Sequence, residues 1–72
     1  MKNKELKELY ERALNNCRFY LKENMNKNLL NEIGVLRGIS YVLELNNINV
    51  VNDEFINFIK KQNELLYVEL KK

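Results

Sequence analysis

Apolar residues recur along this chain at spacings of three and four, in three stretches separated by asparagine-rich segments. That spacing places side chains on one face of an α-helix. The pattern predicts a single all-α domain over residues 1–72, with helices at about 4–23, 28–46 and 53–70. We expect a small three-helix bundle, or a helical hairpin with a third helix, in which the middle helix is central.

The middle stretch, residues 29–45, is the most apolar part of the chain and contains both glycines. At about 100° per residue it has two apolar sides. The broad side comprises Leu29, Ile33, Leu36, Ile39, Ser40 and Leu43, and the second stripe comprises Gly34, Gly38, Tyr41 and Leu45. A helix that is apolar on two sides is expected to be covered on more than one side, so we predict that this helix is the inner one.

Gly34 and Gly38 form a G-x-x-x-G pair, which removes side chains from one patch and lets another backbone approach. Each glycine costs about 1 kcal/mol relative to alanine inside a helix, so two of them suggest a compensating contact. We therefore predict helix packing or self-association at Gly34, Gly38, Tyr41 and Leu45. We expect the crossing helix to belong to the same chain; a second copy is the first alternative, and a ligand or target surface is the other. Arg37, although such an arginine is more often a structural charge, is the first candidate for a polar contact with a partner.

The first helix has one apolar stripe and an opposite charged side, as expected of an amphipathic helix with one apolar neighbour. Its stripe comprises Leu6, Tyr10, Ala13, Leu14, Cys17, Leu21 and Met25. Asn3 could cap its start, and Asn26 or Asn28 could cap the second helix. A break in the asparagine-rich segment 24–28 would make a helical hairpin. One unbroken helix from 4 to 45 is the alternative, and it would need partner chains to cover it.

The second helix is expected to end at Asn46-Asn47, because asparagine often replaces glycine at a left-handed helix terminus. The apolar connector that follows should lie across the end of the bundle, and Asn52 or Asp53 should cap the third helix. The apolar arc of the third helix comprises Phe55, Ile56, Phe58, Ile59, Leu65, Leu66 and Leu70. Tyr67 borders this arc and Val68 falls on the polar side, so both are candidates for contact with a partner.

Length and composition limit what this domain can do alone. A chain of 72 residues buries only about 60% of its unfolded surface, which leaves a thin margin of stability. With one cysteine and no histidine, neither an intrachain disulfide nor the usual set of zinc ligands is available. A homo-oligomer, with a dimer favoured, or binding to a larger protein target would supply the missing burial. A well-packed monomeric bundle is the alternative.

The sequence contains little that could support catalysis. No catalytic residues, metal ligands or cofactor-binding residues are predicted. No two carboxylates are spaced as in a catalytic dyad or a metal site, and Cys17 lies on an apolar stripe, where a cysteine is usually a core side chain. We therefore expect no enzyme activity and no cofactor. Arg37 and Glu44 interrupt the best candidate for a membrane span, and the N-terminus lacks the apolar run of a secretory signal. An unpaired thiol then favours a cytoplasmic location.

The leading functional prediction is a small protein-binding module that regulates or inhibits a larger protein by steric occlusion. Abundant asparagine, lysine and isoleucine indicate an AT-rich genome, in keeping with a phage or another mobile element. One alternative is a dimeric DNA-binding regulator with contacts from Asn57, Lys60 and Lys61, although a net charge of +2 is low for that role. The other alternative is a purely structural homo-oligomer.

Overall fold

The computed structural model describes residues 2–70, except for the side chain of Glu69, and this part of the chain forms three helices. Helix α1 spans Asn3–Lys22, α2 spans Asn26–Leu45 and α3 spans Asp53–Leu70. Every predicted boundary lies within two residues of the observed one. The prediction of a small all-α domain is confirmed.

A tight turn separates α1 from α2, so the two helices form a hairpin and the single long helix is excluded. Asn24 adopts a left-handed conformation with φ of 55°. The Met25 N–H donates to the Tyr20 carbonyl at 2.9 Å, and the Asn24 N–H donates to the Leu21 carbonyl at 3.3 Å. This pair of bonds is a Schellman motif, which satisfies the last carbonyls of a helix and reverses the chain.

The same device ends α2, as the asparagine pair predicts. Asn47 is left-handed with φ of 63°, and the Ile48 N–H donates to the Leu43 carbonyl at 2.9 Å. The Asn46 side-chain amide also donates to the Val42 carbonyl at 2.9 Å. Two asparagines thus fulfil the role that glycine usually takes at helix termini.

The predicted N-cap residues agree less well with the observed helix starts. Asn3, Asn26 and Asn28 lie inside their helices, and the residue before each of these helices makes no capping hydrogen bond with its side chain. The three predicted caps are therefore wrong, because each helix begins at or before the expected cap. At α3 the prediction is confirmed, since the Asn52 side-chain oxygen accepts a hydrogen bond from the Phe55 N–H at 2.8 Å.

The core forms between α1 and the broad side of α2, with one buried contribution from α3. The buried apolar residues are Leu6, Tyr10, Ala13, Leu14, Cys17, Leu29, Ile33, Leu36, Leu43 and Phe58. Leu29, Ile33, Leu36 and Leu43 are fully buried, and each such side chain contributes about 1.5–3 kcal/mol relative to an exposed one. The predicted broad side is therefore confirmed.

The end of the predicted α1 stripe departs from this pattern. Leu21 and Met25 are exposed, because the stripe runs into the turn that closes the hairpin. Helical periodicity identifies the side on which an apolar residue lies, but not how far along that side the neighbouring helices extend.

The connector between α2 and α3 packs on the domain, and one tyrosine holds it. Ile48 and Val50 lie partly buried against the core, whereas Val51 is exposed. The Tyr10 hydroxyl donates to the Val50 carbonyl at 2.7 Å, and its ring stacks on Phe55 with 6.4 Å between ring centroids. The prediction that this segment lies across the bundle holds for Ile48 and Val50.

Helix α2 contacts both other helices, in agreement with its predicted middle position. Its buried residues nevertheless lie on one broad arc, and its opposite side faces away from α1 and α3. The expectation that α2 is covered on more than one side is therefore wrong for the single chain. Among residues 2–70, none of the three helices combines the length and the apolar character that a membrane span requires.

Candidate functional site

The single cysteine is a core side chain without the environment of a nucleophile. Cys17 is fully buried between α1 and α2. Burial, with smaller contributions from Glu32 and Glu54, raises the pKa of its thiol to about 12. The reactive form of cysteine is the thiolate, and this environment suppresses it at neutral pH.

The described residues also lack the groups that would hold a metal or a catalytic charge in the interior. No cluster of three or more potential metal ligands occurs among them, and none of their polar or charged side chains is buried. Perturbed titratable groups in clefts are the usual mark of an active site. The expectations of no enzyme activity, no cofactor and no metal remain predictions.

The most distinctive surface lies on α2, opposite the core, and is called the outward face. Its members are all exposed: Asn31, Gly34, Val35, Gly38, Tyr41, Val42 and Leu45. The exposed fractions are 51% for Val35, 62% for Tyr41 and 66% for Leu45. Between its first and last members the outward face carries no charge, which is uncommon for a solvent-exposed helix side.

The two glycines lie in the open on this face. A Cβ added to Gly34 or Gly38 would meet no other part of the chain within 4 Å. The expected intrachain crossing at these glycines is therefore wrong, because α1 and α3 pack on the other side of α2. Self-association through Gly34, Gly38, Tyr41 and Leu45 stays a prediction.

Two charged residues mark the ends of α2. Lys27 lies in its first turn and Glu44 in its last, and both are exposed. Neither forms an ion pair within the described residues. The uncharged outward face thus lies between a basic and an acidic end.

Polar contacts tie the flanks of α2 to its neighbours. The Arg37 guanidinium donates to the Gln62 side-chain oxygen of α3 at 3.3 Å, and the Asn16 amide of α1 donates to Glu32 at 3.1 Å. Arg37 is exposed, so the contact with α3 leaves it accessible to a partner. The role of Arg37 in binding stays a prediction.

A second apolar surface occupies the last turns of α3 and is called the terminal ridge. It consists of Leu66, Tyr67, Val68 and Leu70, all of which are exposed. The exposed fractions of Tyr67 and Val68 are 59% and 53%. Ile59 and Leu65 still pack against the core, and every described side chain of α3 after Leu65 is exposed, so the helix leaves the core in its last turns. The structure places both predicted contact residues, Tyr67 and Val68, on this surface.

The residues of the DNA-binding alternative form no basic cluster. Asn57 and Lys60 are exposed, and the Lys61 ammonium lies 3.7 Å from a Glu64 carboxylate oxygen. That carboxylate offsets one of the two positive charges on this side of α3. Phosphate binding depends on concentrated positive charge, so these positions give the alternative little electrostatic support.

Several important residues were not singled out by sequence reasoning. Val35 and Val42 complete the outward face, and a helical projection of α2 that included all apolar residues would have found them. Arg18 and Glu54 join α1 to the start of α3, with the Arg18 Nη2 donating to the carboxylate at 2.6 Å. This hydrogen bonding raises the pKa of Arg18. Sequence pattern alone could not reveal that contact, because the two residues are 36 positions apart and meet only once α3 packs beside α1.

In comparisons with known proteins, no family model matches this chain, and no curated protein or solved structure is detectably similar to it.

Proposed function

We propose that this protein is a non-enzymatic protein-binding module, which regulates or inhibits a larger protein by covering one of its sites. The observation that carries the proposal is the distribution of exposed apolar side chains. Most of them lie on two helix surfaces, the outward face of α2 and the terminal ridge of α3. Exposed apolar patches of this kind are typical of sites where proteins bind one another.

The chemistry of both surfaces suits contact with protein. Tyr41 and Tyr67 provide large apolar rings with a polar tip, a combination that is enriched in interfaces because the ring is buried while the hydroxyl finds a partner. A helix that presents a continuous apolar strip can lie in a hydrophobic groove of another protein. Each 100 Å² of apolar surface covered in this way would contribute about 2.5 kcal/mol before the costs of association.

The terminal ridge is the surface assigned to the larger target. It leaves the core at the end of α3, so a target pocket that surrounds the last turns of the helix could contact Val68 on one side and Leu70 on the other without disturbing the buried residues. Arg37, held beside α3 by Gln62, could add a polar contact at the rim. Regulation would then be steric, because the bound domain would exclude other ligands from that part of the target.

The test is site-specific photo-crosslinking in the natural host. A photoreactive amino acid replaces Val68 in one variant and Lys7, an exposed residue on the charged side of α1, in the control. We expect Val68 to form one adduct of defined mass with a larger protein that Lys7 does not form. The isolated target should then bind the wild-type chain at least tenfold more tightly than Val68→Glu, since that change buries a charge in the contact. No adduct at Val68, or the same adducts from both positions, would contradict the proposal.

A further inference from the structure

The ends of α2 carry the opposite charges from those that a helix favours. Helix N-termini have partial positive charge and C-termini partial negative charge, so acidic residues belong at the start and basic residues at the end. Helix α1 has Glu5 in its first turn, beside Lys4, and Lys22 in its last, whereas α3 begins with two acidic residues but has no basic residue in its last turn. Helix α2 has no acidic residue in its first turn and no basic residue in its last, and instead begins with Lys27 and ends with Glu44.

A second copy of α2, lying antiparallel on the outward face, would bring a favourable charge to both ends of the helix dipole. The partner's Glu44 would approach the N-terminus of α2 and the partner's Lys27 would approach its C-terminus. We infer that the outward face binds the same face of a second copy, with the two α2 helices antiparallel about a two-fold axis. The inference rests on the proposed function, in which this face is a protein-binding surface.

The positions of the glycines and of the charges agree on where that axis lies. Gly34 and Gly38 are each two residues from Leu36, whereas Lys27 lies nine residues before it and Glu44 eight after it. An axis at the level of Leu36 therefore places Gly34 opposite the partner's Gly38. It also places Lys27 at nearly the same height along the helix axis as the partner's Glu44. The two differ by one residue, which is a rise of about 1.5 Å. At about 100° per residue, Glu44 lies about 60° around the helix from Tyr41, so it borders the face on the same side as Arg37.

The composition of the outward face suits pairing with itself. In a two-fold interface each residue near the axis lies close to its own copy, so a charge there would face a like charge. The members of the face between Asn31 and Leu45 are uncharged, and the charge nearest to the axis, Arg37, lies at the flank, where it contacts Gln62 of α3. Its open glycines allow close approach of two backbones, and Val35 and Tyr41 form ridges beside them.

The test uses charge reversal and sedimentation equilibrium at low salt. The wild-type mass should rise with concentration toward twice the chain mass of 8.7 kDa. Lys27→Glu makes both ends of α2 acidic and Glu44→Lys makes both ends basic, so each variant alone should dimerise about tenfold more weakly. An equimolar mixture of the two should form a heterodimer, and the double variant should recover the wild-type affinity. Lys7→Glu and Glu8→Lys, on exposed positions of α1, are the matched controls and should change nothing.

Each other result overturns the inference in a recognisable way. A wild-type mass of 8.7 kDa at every concentration would exclude self-pairing but leave the proposed function intact, because the Val68 crosslink tests the terminal ridge. Single variants that dimerise as well as wild type would exclude the antiparallel arrangement, since a parallel pair keeps like ends together. Circular dichroism establishes that the variants fold. They should, because each reversal gives α2 the end charge that its own dipole favours.

Discussion

Replacing the open glycines should stabilise the isolated chain. Gly34 and Gly38 lie in the middle of α2 with helical backbone, and a Cβ at either position meets no other part of the chain within 4 Å. Alanine therefore gains the helix preference of about 1 kcal/mol at each site without a steric cost. For a domain of this size, 1 kcal/mol raises Tm by roughly 4–8 °C.

Leucine provides the matched comparison, because its helix preference is close to that of alanine while its side chain is much larger. At the low concentrations where the monomer dominates, Gly34→Leu and Gly38→Leu should gain about 1 kcal/mol in urea denaturation, as the alanine variants do. At concentrations where the wild type self-associates, leucine should weaken the dimer more than alanine, because it separates the two backbones. A loss of monomer stability with leucine would refute the reasoning, since it would mean that α1 or α3 already occupies this space.

Two further predictions concern the core. With the pKa of Cys17 raised from 9.0 to about 12, the unfolded thiol ionises first, so stability should be complete below pH 9 and fall as the pH rises toward 12. Cys17→Ala should remove that part of the decline in urea denaturation at a series of pH values, and an unchanged slope would contradict the assignment. Tyr10→Phe should cost about 0.5–1.5 kcal/mol, because the Val50 carbonyl loses its 2.7 Å hydrogen bond. A thermal denaturation midpoint equal to that of the wild type would show that this bond does not hold the connector.

The sequence predicts the helix faces and helix ends well where neighbouring residues alone determine them. Three- and four-residue spacing identified the buried side of α2, and the pair Asn46-Asn47 identified its end, because few residues other than glycine and asparagine adopt left-handed backbone at low cost. The break after α1 stayed open between a hairpin and one long helix, because neither glycine nor proline occurs in segment 24–28. The starts of α1 and α2 were predicted less well. Several asparagines near each start could serve as a cap, and in these two helices none of them does.

The candidate surface was predicted only in part, for a different physical reason. The pattern of Gly34, Gly38, Tyr41 and Leu45 indicates a surface suited to close contact, but periodicity contains no information about what covers it. The chain covers the broad side of α2 with α1 and α3 and leaves these four residues exposed. The inverted end charges, Lys27 and Glu44, became informative only when the bounds of α2 were known.

The central claim is that the outward face of α2 is open within one chain and is covered by a second protein. Solvent paramagnetic relaxation in NMR, with a soluble gadolinium chelate at two protein concentrations, tests both parts. At micromolar concentration the signals of Val35, Val42 and Leu45 should be strongly relaxed, while those of Leu29 and Ile33 are protected. At millimolar concentration the three outward signals should become protected as well. Protection of Val35 and Leu45 at the lowest concentration, or strong relaxation at both, would contradict the account.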